Sequence, residues 1–275
     1  MEDYRVRVAV FGATGRMGSA VIRLIAASSD CVLTGAAVEQ GHALVGQDAG
    51  TAAGARRLDV AIGDSPELAV ANCEVAIDFS AAAAADVHMT ACAAQRCALV
   101  LGTTGLSDAQ LAQLDRLAVE LPVVYGRNMS VGVLVFTELA RLAARLMGAE
   151  ADIEISETHH RNKVDAPSGT ALQLGEAIAT ELGARLDDVA VLDRFATRGA
   201  RRQGSIGFSS LRAGNVVGDH EVMFALDEEI IALQHRALDR TTFARGALRA
   251  ARWVVGRPAG LYGMGDVLGL QPHTR

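Results

Sequence analysis

Aromatic side chains are scarce in this chain: Phe, Trp and Tyr together make up 4% of its 275 residues. Basic charge is not in excess either, since 26 Lys and Arg stand against 32 Asp and Glu, for a net charge of -6 and a pI near 5.7. A nucleic-acid binder needs a basic, aromatic-interleaved surface to neutralise phosphates. Its absence argues against nucleic acid, and against anionic membranes, as partners. The four cysteines, Cys31, Cys73, Cys92 and Cys97, show neither C-x-x-C spacing nor nearby paired histidines. They read as reduced, packed core thiols rather than metal ligands. The opening MEDYRVRVAVFGATG lacks the apolar stretch and small-residue cleavage site of a signal peptide. The apolar run AAAAADVHMTACAAQ is broken by Asp86 and His88 before it reaches spanning length. A cytoplasmic protein without a membrane partner is the expectation.

What the chain does have is apolar content, 50% of residues, enough to bury a sizeable core in one or two domains. Val6, Val8, Val10 and Phe11 form a β-rich run ending at Gly12, and Met17, Val21, Leu24 and Ile25 follow at helical spacing. The unit recurs: CVLTGAAVE, VAIDFS, ALVLGTTG and PVVYGRN read as buried strands, with helical stretches between several of them. Near-continuous apolar strands alternating with helices predict an α/β, Rossmann-like parallel sheet covered on both faces.

From about Ser130 the pattern changes. SVGVLVFTELARLAARLMG reads as a long helix with Leu139, Leu142, Ala143 and Leu146 as its apolar stripe. ADIEISETHH then alternates with period 2, SGTALQLGEAIATELG reads as a helix capped by Ser168, and three strand-like runs follow. This predicts a second α+β domain with an open mixed sheet over 131–240. The closing helical run TFARGALRAARWVVG is expected to pack back on the first domain, so that 1–130 is completed by 241–275.

Two places carry chemistry. GATGRMG sets glycines at 12, 15 and 18 between a strand and a helix, where close backbone approach and helix-start amides suit a pyrophosphate. Glu39 follows about 20 residues on, where an acid accepts hydrogen bonds from the ribose hydroxyls of NAD. The spacing is GxxGxxG rather than GxGxxG, so a tight packing turn without ligand is the competing reading. GTTG (Gly102–Gly105) and GRNMS (Gly126–Ser130) taken singly read as ordinary βα turns, but their place on the same sheet edge as Gly12 favours a functional reading.

The second place is ETHHRNKVDAPSGTA, Glu157 to Ala171. Strand parity puts Glu157 and His159 on the face of Ile153 and Ile155. A carboxylate beside a half-buried imidazole fixes its tautomer, as suits a general acid or base. The competing reading is a core-edge histidine merely satisfied by Glu157, against which Lys163 weighs, four residues on, as a proton donor or anion clamp. Asp165 reads as a turn residue and Ser168 as a cap, with Gly169 and Thr170 in a helix first turn suited to a carboxylate. A metal site fits poorly, because adjacent histidines on a strand splay apart and no HxH, HExxH or cysteine partner is present, and a serine hydrolase fits no better without a GxSxG elbow. A hydride-transfer enzyme acting on a small carboxylate is the reading that follows.

The segments VAVFGATGRMG, IDFS, LGTTG, NMSVGV, ETHHRNKVDAPSGTA and GFSSLRAGNVVGDHEVMF together resemble the dihydrodipicolinate reductase family of the lysine and diaminopimelate pathway, over nearly the whole chain. The resemblance implies reduction of the cyclic product of pyruvate and aspartate semialdehyde with NADH or NADPH. It implies His159 as proton donor or acceptor, Lys163 as proton donor, and His160, Gly169 and Thr170 as holders of the substrate carboxylates. It places Gly12, Ala13, Thr14, Gly15, Arg16 and Met17 around the cofactor and Glu39 on the adenosine ribose. Gly102, Thr103 and Thr104, with Gly126, Arg127, Asn128 and Met129, fall near the nicotinamide end. A homotetramer formed through the second domain's sheet is implied as well. Gln40 stands where members that use NADPH well often carry arginine, so NADH is the expected preference, with NADPH possible. Because both histidines are expected near substrate, the strand must end or twist at about His159. Domain closure over the cofactor is expected, since the two sets of residues fall on different domains.

Overall fold

The computed structural model describes residues 4–196 and 198–270. The chain divides into two compact units, one running to Val131 and resumed from Arg240, the other Gly132–Asp239.

The first unit opens with β1 (Val6–Phe11), α1 (Arg16–Ala26), β2 (Cys31–Ala37), α2 (Ala49–Ala52), β3 (Ile62–Gly63) and α3 (Pro66–Val70). It continues with β4 (Val75–Asp78), α4 (Ala85–Gln95), β5 (Ala98–Leu101), α5 (Asp108–Glu120) and β6 (Pro122–Tyr125). All residues of β4 and β5 are buried, which is why they read as unbroken apolar runs. Phe11, Ala76, Met89, Leu99, Leu101, Leu114 and Val123 build the core between this sheet and its helices.

The second unit takes up α6 (Val131–Met147), β7 (Asp152–His159), α7 (Gly169–Glu181), α8 (Leu186–Val189) and β8 (Ala190–Val191). β9 (Ile206–Arg212), β10 (Gly218–Ala225) and β11 (Ile230–Ala237) complete a five-stranded mixed sheet in the order β11-β10-β7-β9-β8. β10 is antiparallel to β7 and β11, whereas β7, β9 and β8 run parallel. Ile153, Ile155, Phe208, Val222 and Phe224 meet Phe136, Ala140, Ala144, Leu174 and Ile178 in one core.

The buried face of α6 is not the expected one. Val133, Phe136, Thr137, Ala140 and Ala144 are buried, while Leu139, Leu142 and Leu146 are 46%, 42% and 75% exposed. Glu138, Arg141 and Arg145 group on one side of this helix and apolar residues cover the rest, a span too wide for their pattern alone to select the buried face. Phe136, Ala140 and Ala144 are the residues of the helix that join the sheet's apolar side chains in the core.

The chain then returns to the first unit as α9 (Thr241–Val254), β12 (Gly260–Tyr262) and α10 (Met264–Leu268). α9 packs on α1, β4 and β5 through Ala244, Gly246, Ala247, Ala250 and Ala251. β12 pairs in parallel with β6, giving a seven-stranded sheet in the order β12-β6-β5-β4-β1-β2-β3 with every pairing parallel. Strand order reverses between β1 and β4, and an open α/β sheet takes its ligand at the carboxyl ends flanking such a switch point. Among the described residues, no helix is long and apolar enough to cross a membrane.

Candidate active site

Five loops of the first unit leave the same edge of the parallel sheet. Gly12 follows β1, Glu39 lies just past β2, Phe79 and Ser80 follow β4, Gly102 follows β5 and Gly126 follows β6. Gly12 turns at φ +67°, and Gly18 in the first turns of α1 sits so near that a Cβ on it would stand 2.1 Å from the Gly12 carbonyl. The helix start is thereby pressed against the turn. α1 begins after Gly15 with no side-chain cap and no acidic residue in its first turn, so its positive end is not neutralised from within. This cradle fits a dinucleotide's pyrophosphate.

Around it, Ala13 is buried, Thr14 bonds His42 (Oγ1 to Nε2, 3.2 Å), Arg16 is exposed and Met17 half-buried. Glu39 and Gln40 are exposed side by side. Gly102 and Thr103 are buried, and Thr104 and Arg127 are exposed. Gly126 and Asn128 are half-buried, and the Asn128 side chain accepts the Ser130 N–H at 2.9 Å. Met129 is 1% exposed and belongs to the core, its carbonyl lying 1.7 Å from where a Cβ on Gly246 would be.

In the second unit, β7 alternates exposed or half-buried with buried from Asp152 to His159, placing Glu157 and His159 inward at 2% and 8% exposure. β7 ends at His159, and His160 begins the turn, which releases the two rings from strict alternation. Glu157 is the anchor of the cluster. Arg212, at the end of β9, reaches its two oxygens with one terminal nitrogen each, both at 2.9 Å. The Ser168 N–H donates to the same carboxylate at 3.2 Å, and His159 Nδ1 makes a short contact with Oε2. Burial pushes the Glu157 carboxyl up, but Arg212, then His159 and Ser210, overcome it and hold the group below the usual carboxylate range.

An ionised Glu157 needs a donor from His159, so Nδ1 carries the proton and Nε2 is the nitrogen left for chemistry. Burial, with the positive charges of Lys163 and Arg212, outweighs Glu157 and lowers the His159 pKa below the ordinary histidine value. The imidazole is therefore neutral near pH 7. His220 of β10, cross-strand from Glu157, meets His159 edge-on at 5.1 Å and bonds Ser168 Oγ through Nε2 at 3.2 Å. Burial, then the positive charge that His159 takes up in acid, brings its pKa down to about 4.

Lys163 is the chain's single lysine. Its N–H donates to the His160 carbonyl at 3.1 Å, which fixes the turn, and Nζ lies 2.8 Å from Asp165 Oδ1. Asp165 is thus the ion-pair partner of Lys163, beyond the turn role read from sequence, and that hydrogen bond lowers its pKa. After a cis Ala166–Pro167 bond, Ser168 caps α7 by accepting the Ala171 N–H at 3.2 Å, and Gly169 and Thr170 form the helix's first turn. An ammonium, a neutral imidazole and a positive helix end on consecutive segments suit a carboxylate substrate that must receive a proton. Among the described residues, no group of three or more His, Cys, Asp and Glu side chains is placed to hold a metal ion.

Sequence reasoning did not single out Arg212 or His220, which lie 55 and 52 residues from the groups they bond. It also passed over Asp78 and His88. The charge that ends the apolar strand VAID was the available signal. The uniqueness of Lys163 was another.

A family model of the dihydrodipicolinate reductase N-terminus matches residues 6–129, and one of its C-terminus matches residues 132–268. The 4-hydroxy-tetrahydrodipicolinate reductase of Alkalilimnicola ehrlichii is 49% identical over 264 residues, covering 96% of this chain and 99% of its own length. That of Magnetococcus marinus is 46% identical over 266 residues, covering 97% and 99%. Among solved structures, a dipicolinate-bound dihydrodipicolinate reductase from Paenisporosarcina sp. TG-14 superposes with a TM-score of 0.74 at 25% identity, over 95% of this chain and 99% of that one. With both family models matched in tandem and relatives near half identical along almost its full length, the chain belongs to the dihydrodipicolinate reductase family.

Proposed function

We propose that this chain, a pyridine-nucleotide-dependent reductase, converts 4-hydroxy-tetrahydrodipicolinate to tetrahydrodipicolinate in lysine and diaminopimelate biosynthesis. In that reaction the substrate loses its hydroxyl as water and takes up one hydride and one proton. When bound, reduced nicotinamide supplies the hydride.

The observation that carries this reading is the cluster of Lys163, His159 and the start of α7 on one short segment of a chain in this family. Lys163 donates the proton, because it is the ammonium of the cluster and His159 is held neutral. His159 exchanges the proton through Nε2, its ring oriented by Glu157. His160, Gly169 and Thr170 bind the two carboxylates, using the helix dipole.

In the first unit, Gly12 to Met17 hold the pyrophosphate and Glu39 the adenosine ribose. Gly102 to Thr104 and Gly126 to Met129 lie along the nicotinamide half. We assign NADH as the preferred cofactor: Glu39 repels a 2'-phosphate, and its exposed neighbour Gln40 brings no compensating charge. The second unit binds substrate and joins a homotetramer through its sheet, and the protein works in the cytoplasm.

The deciding experiment follows NADH oxidation with freshly generated substrate and repeats it with NADPH. Turnover with a higher kcat/KM for NADH is expected. Binding of both ligands without turnover would replace the reductase by a sensor of the same ligands, and a higher kcat/KM for NADPH would overturn the assigned preference.

A further inference from the structure

The mechanism above makes no use of a buried charged cluster in the first unit. Asp78, the last residue of β4, is fully buried, and its carboxylate bonds to loops at the carboxyl edge of the sheet and to His88. Its Oδ1 accepts the Ser80 N–H at 2.7 Å and the Thr103 hydroxyl at 3.2 Å. Its Oδ2 lies 2.8 Å from His88 Nδ1, on α4. The His88 ring in turn lies flat on Phe11, the last residue of β1, with centroids 4.0 Å apart and planes 3° from parallel.

Asp, His and Ser side by side suggest a hydrolytic triad, but the geometry is wrong for one. A triad sets the acid and the hydroxyl on opposite ring nitrogens. Here Ser80 Oγ, at 3.2 Å, and Asp78 both face Nδ1, so no proton passes through the ring. A buried carboxylate is costly unless it is fully paired. Burial pushes the Asp78 pKa up, yet His88 and Ser80 together hold it below the usual carboxylate value. The group stays charged, and its bonds reach two loops and one helix.

Those loops are tightly interlocked. The Phe79 ring occupies the space over Gly102, where a Cβ would meet it at 2.2 Å, and a Cβ on Gly12 would meet Ser80 Cα at 3.0 Å. The Thr103 hydroxyl also lies 3.2 Å from the Ser80 carbonyl. The carboxylate therefore registers the loop after β4 against the loop after β5, and its histidine partner is stacked on the end of β1, beside the switch point of the sheet.

We propose that Asp78 and His88 form a positioning pair that sets the loops at Phe79–Ser80 and Gly102–Thr104 for the nicotinamide half of the cofactor, without touching the reacting atoms. The inference rests on the assignment of this edge as the cofactor site. It separates two parts of that site: the Gly12 turn and Glu39 serve the adenosine diphosphate half, and the Asp78 pair serves the other.

The test is equilibrium binding of NADH and of ADP to wild type, Asp78→Asn and His88→Gln, with steady-state kinetics alongside. Asp78→Asn is expected to raise the Kd and KM for NADH about ten-fold, the loss of one charged hydrogen bond. ADP affinity and kcat at saturating NADH should stay within about two-fold of wild type on the same argument. His88→Gln should show the same split and decides the matter if Asp78→Asn does not fold. An unchanged NADH Kd in the folded variant overturns the proposal, as does an equal loss of NADH and ADP, which marks a core pair needed only for folding. Wild type that binds neither ligand removes the cofactor assignment itself, and this inference with it.

Discussion

Arg212 holds Glu157 by both carboxylate oxygens, 2.9 Å from each, and so connects the end of β9 to the residue that orients His159. Removing the guanidinium alone strands a charge that is 2% exposed. Arg212→Met should destabilise the protein by about 3 kcal/mol, the usual scale for breaking a buried pair. Glu157→Gln combined with Arg212→Met should recover much of that loss in urea unfolding. The kcat of the double variant should stay low, because His159 has lost its anionic partner. A double variant with wild-type kcat would show that Glu157 does not orient the imidazole.

Lys163 is the single lysine among 26 basic Lys and Arg residues, so an amine-directed reagent has one side-chain target. Acetylation at Lys163, read by peptide mass, should abolish turnover in step with its stoichiometry, and a bound dicarboxylate should slow it. Lys163→Ala should lower kcat by roughly 10²- to 10⁴-fold, the range for a lost general acid, and leave the Kd for NADH unchanged. Activity retained by fully acetylated protein would remove Lys163 from the mechanism.

Gln40 and Glu39 lie together and exposed just past β2. Gln40→Arg should raise kcat/KM for NADPH about ten-fold through an ion pair with the 2'-phosphate, and change that for NADH little. The gain should shrink as salt is added. Equal effects on the two cofactors would mean that residue 40 does not face the ribose.

His220 is buried and neutral, with a pKa near 4 in the folded protein against about 6.5 for a free histidine. Its contribution to stability is complete above pH 6.5 and is lost as pH falls toward 4, because the unfolded chain takes up the proton first. The loss by pH 4 is on the order of 3 kcal/mol. His159, also depressed, acts in the same direction. Urea midpoints measured from pH 7 to 4.5 should therefore decline, and His220→Gln should flatten the decline. An unaltered slope in that variant would assign the acid sensitivity to other groups.

Much of this was legible in the sequence where physics leaves a local mark. Strands buried on both faces read as apolar runs, the Gly12 turn announced itself by its glycines, and the period-2 alternation of β7 already turned Glu157 and His159 inward. β3, β8 and β12 span only two or three residues and have no period to detect. α6 misled because its leucines mark its exposed side and its alanines the buried one. Arg212, His220 and the Asp78 cluster depend on pairings between strands or loops distant in sequence, and no window of local sequence records those.

The return of the chain at Arg240 also bears on assembly order. α9 packs on α1, β4 and β5 in the first unit, and its Gly246 seats against the Met129 carbonyl, yet it is synthesised after the entire second unit. The first unit is therefore begun first and finished last, and a nascent chain carries it with one helix-sized apolar face uncovered. Chains ended after Asp239 should yield a protease-resistant second unit and a first unit that is cleaved rapidly, as limited proteolysis with peptide mapping would record. In such a protein, substitutions along α9 lower the yield of folded enzyme before they alter its chemistry.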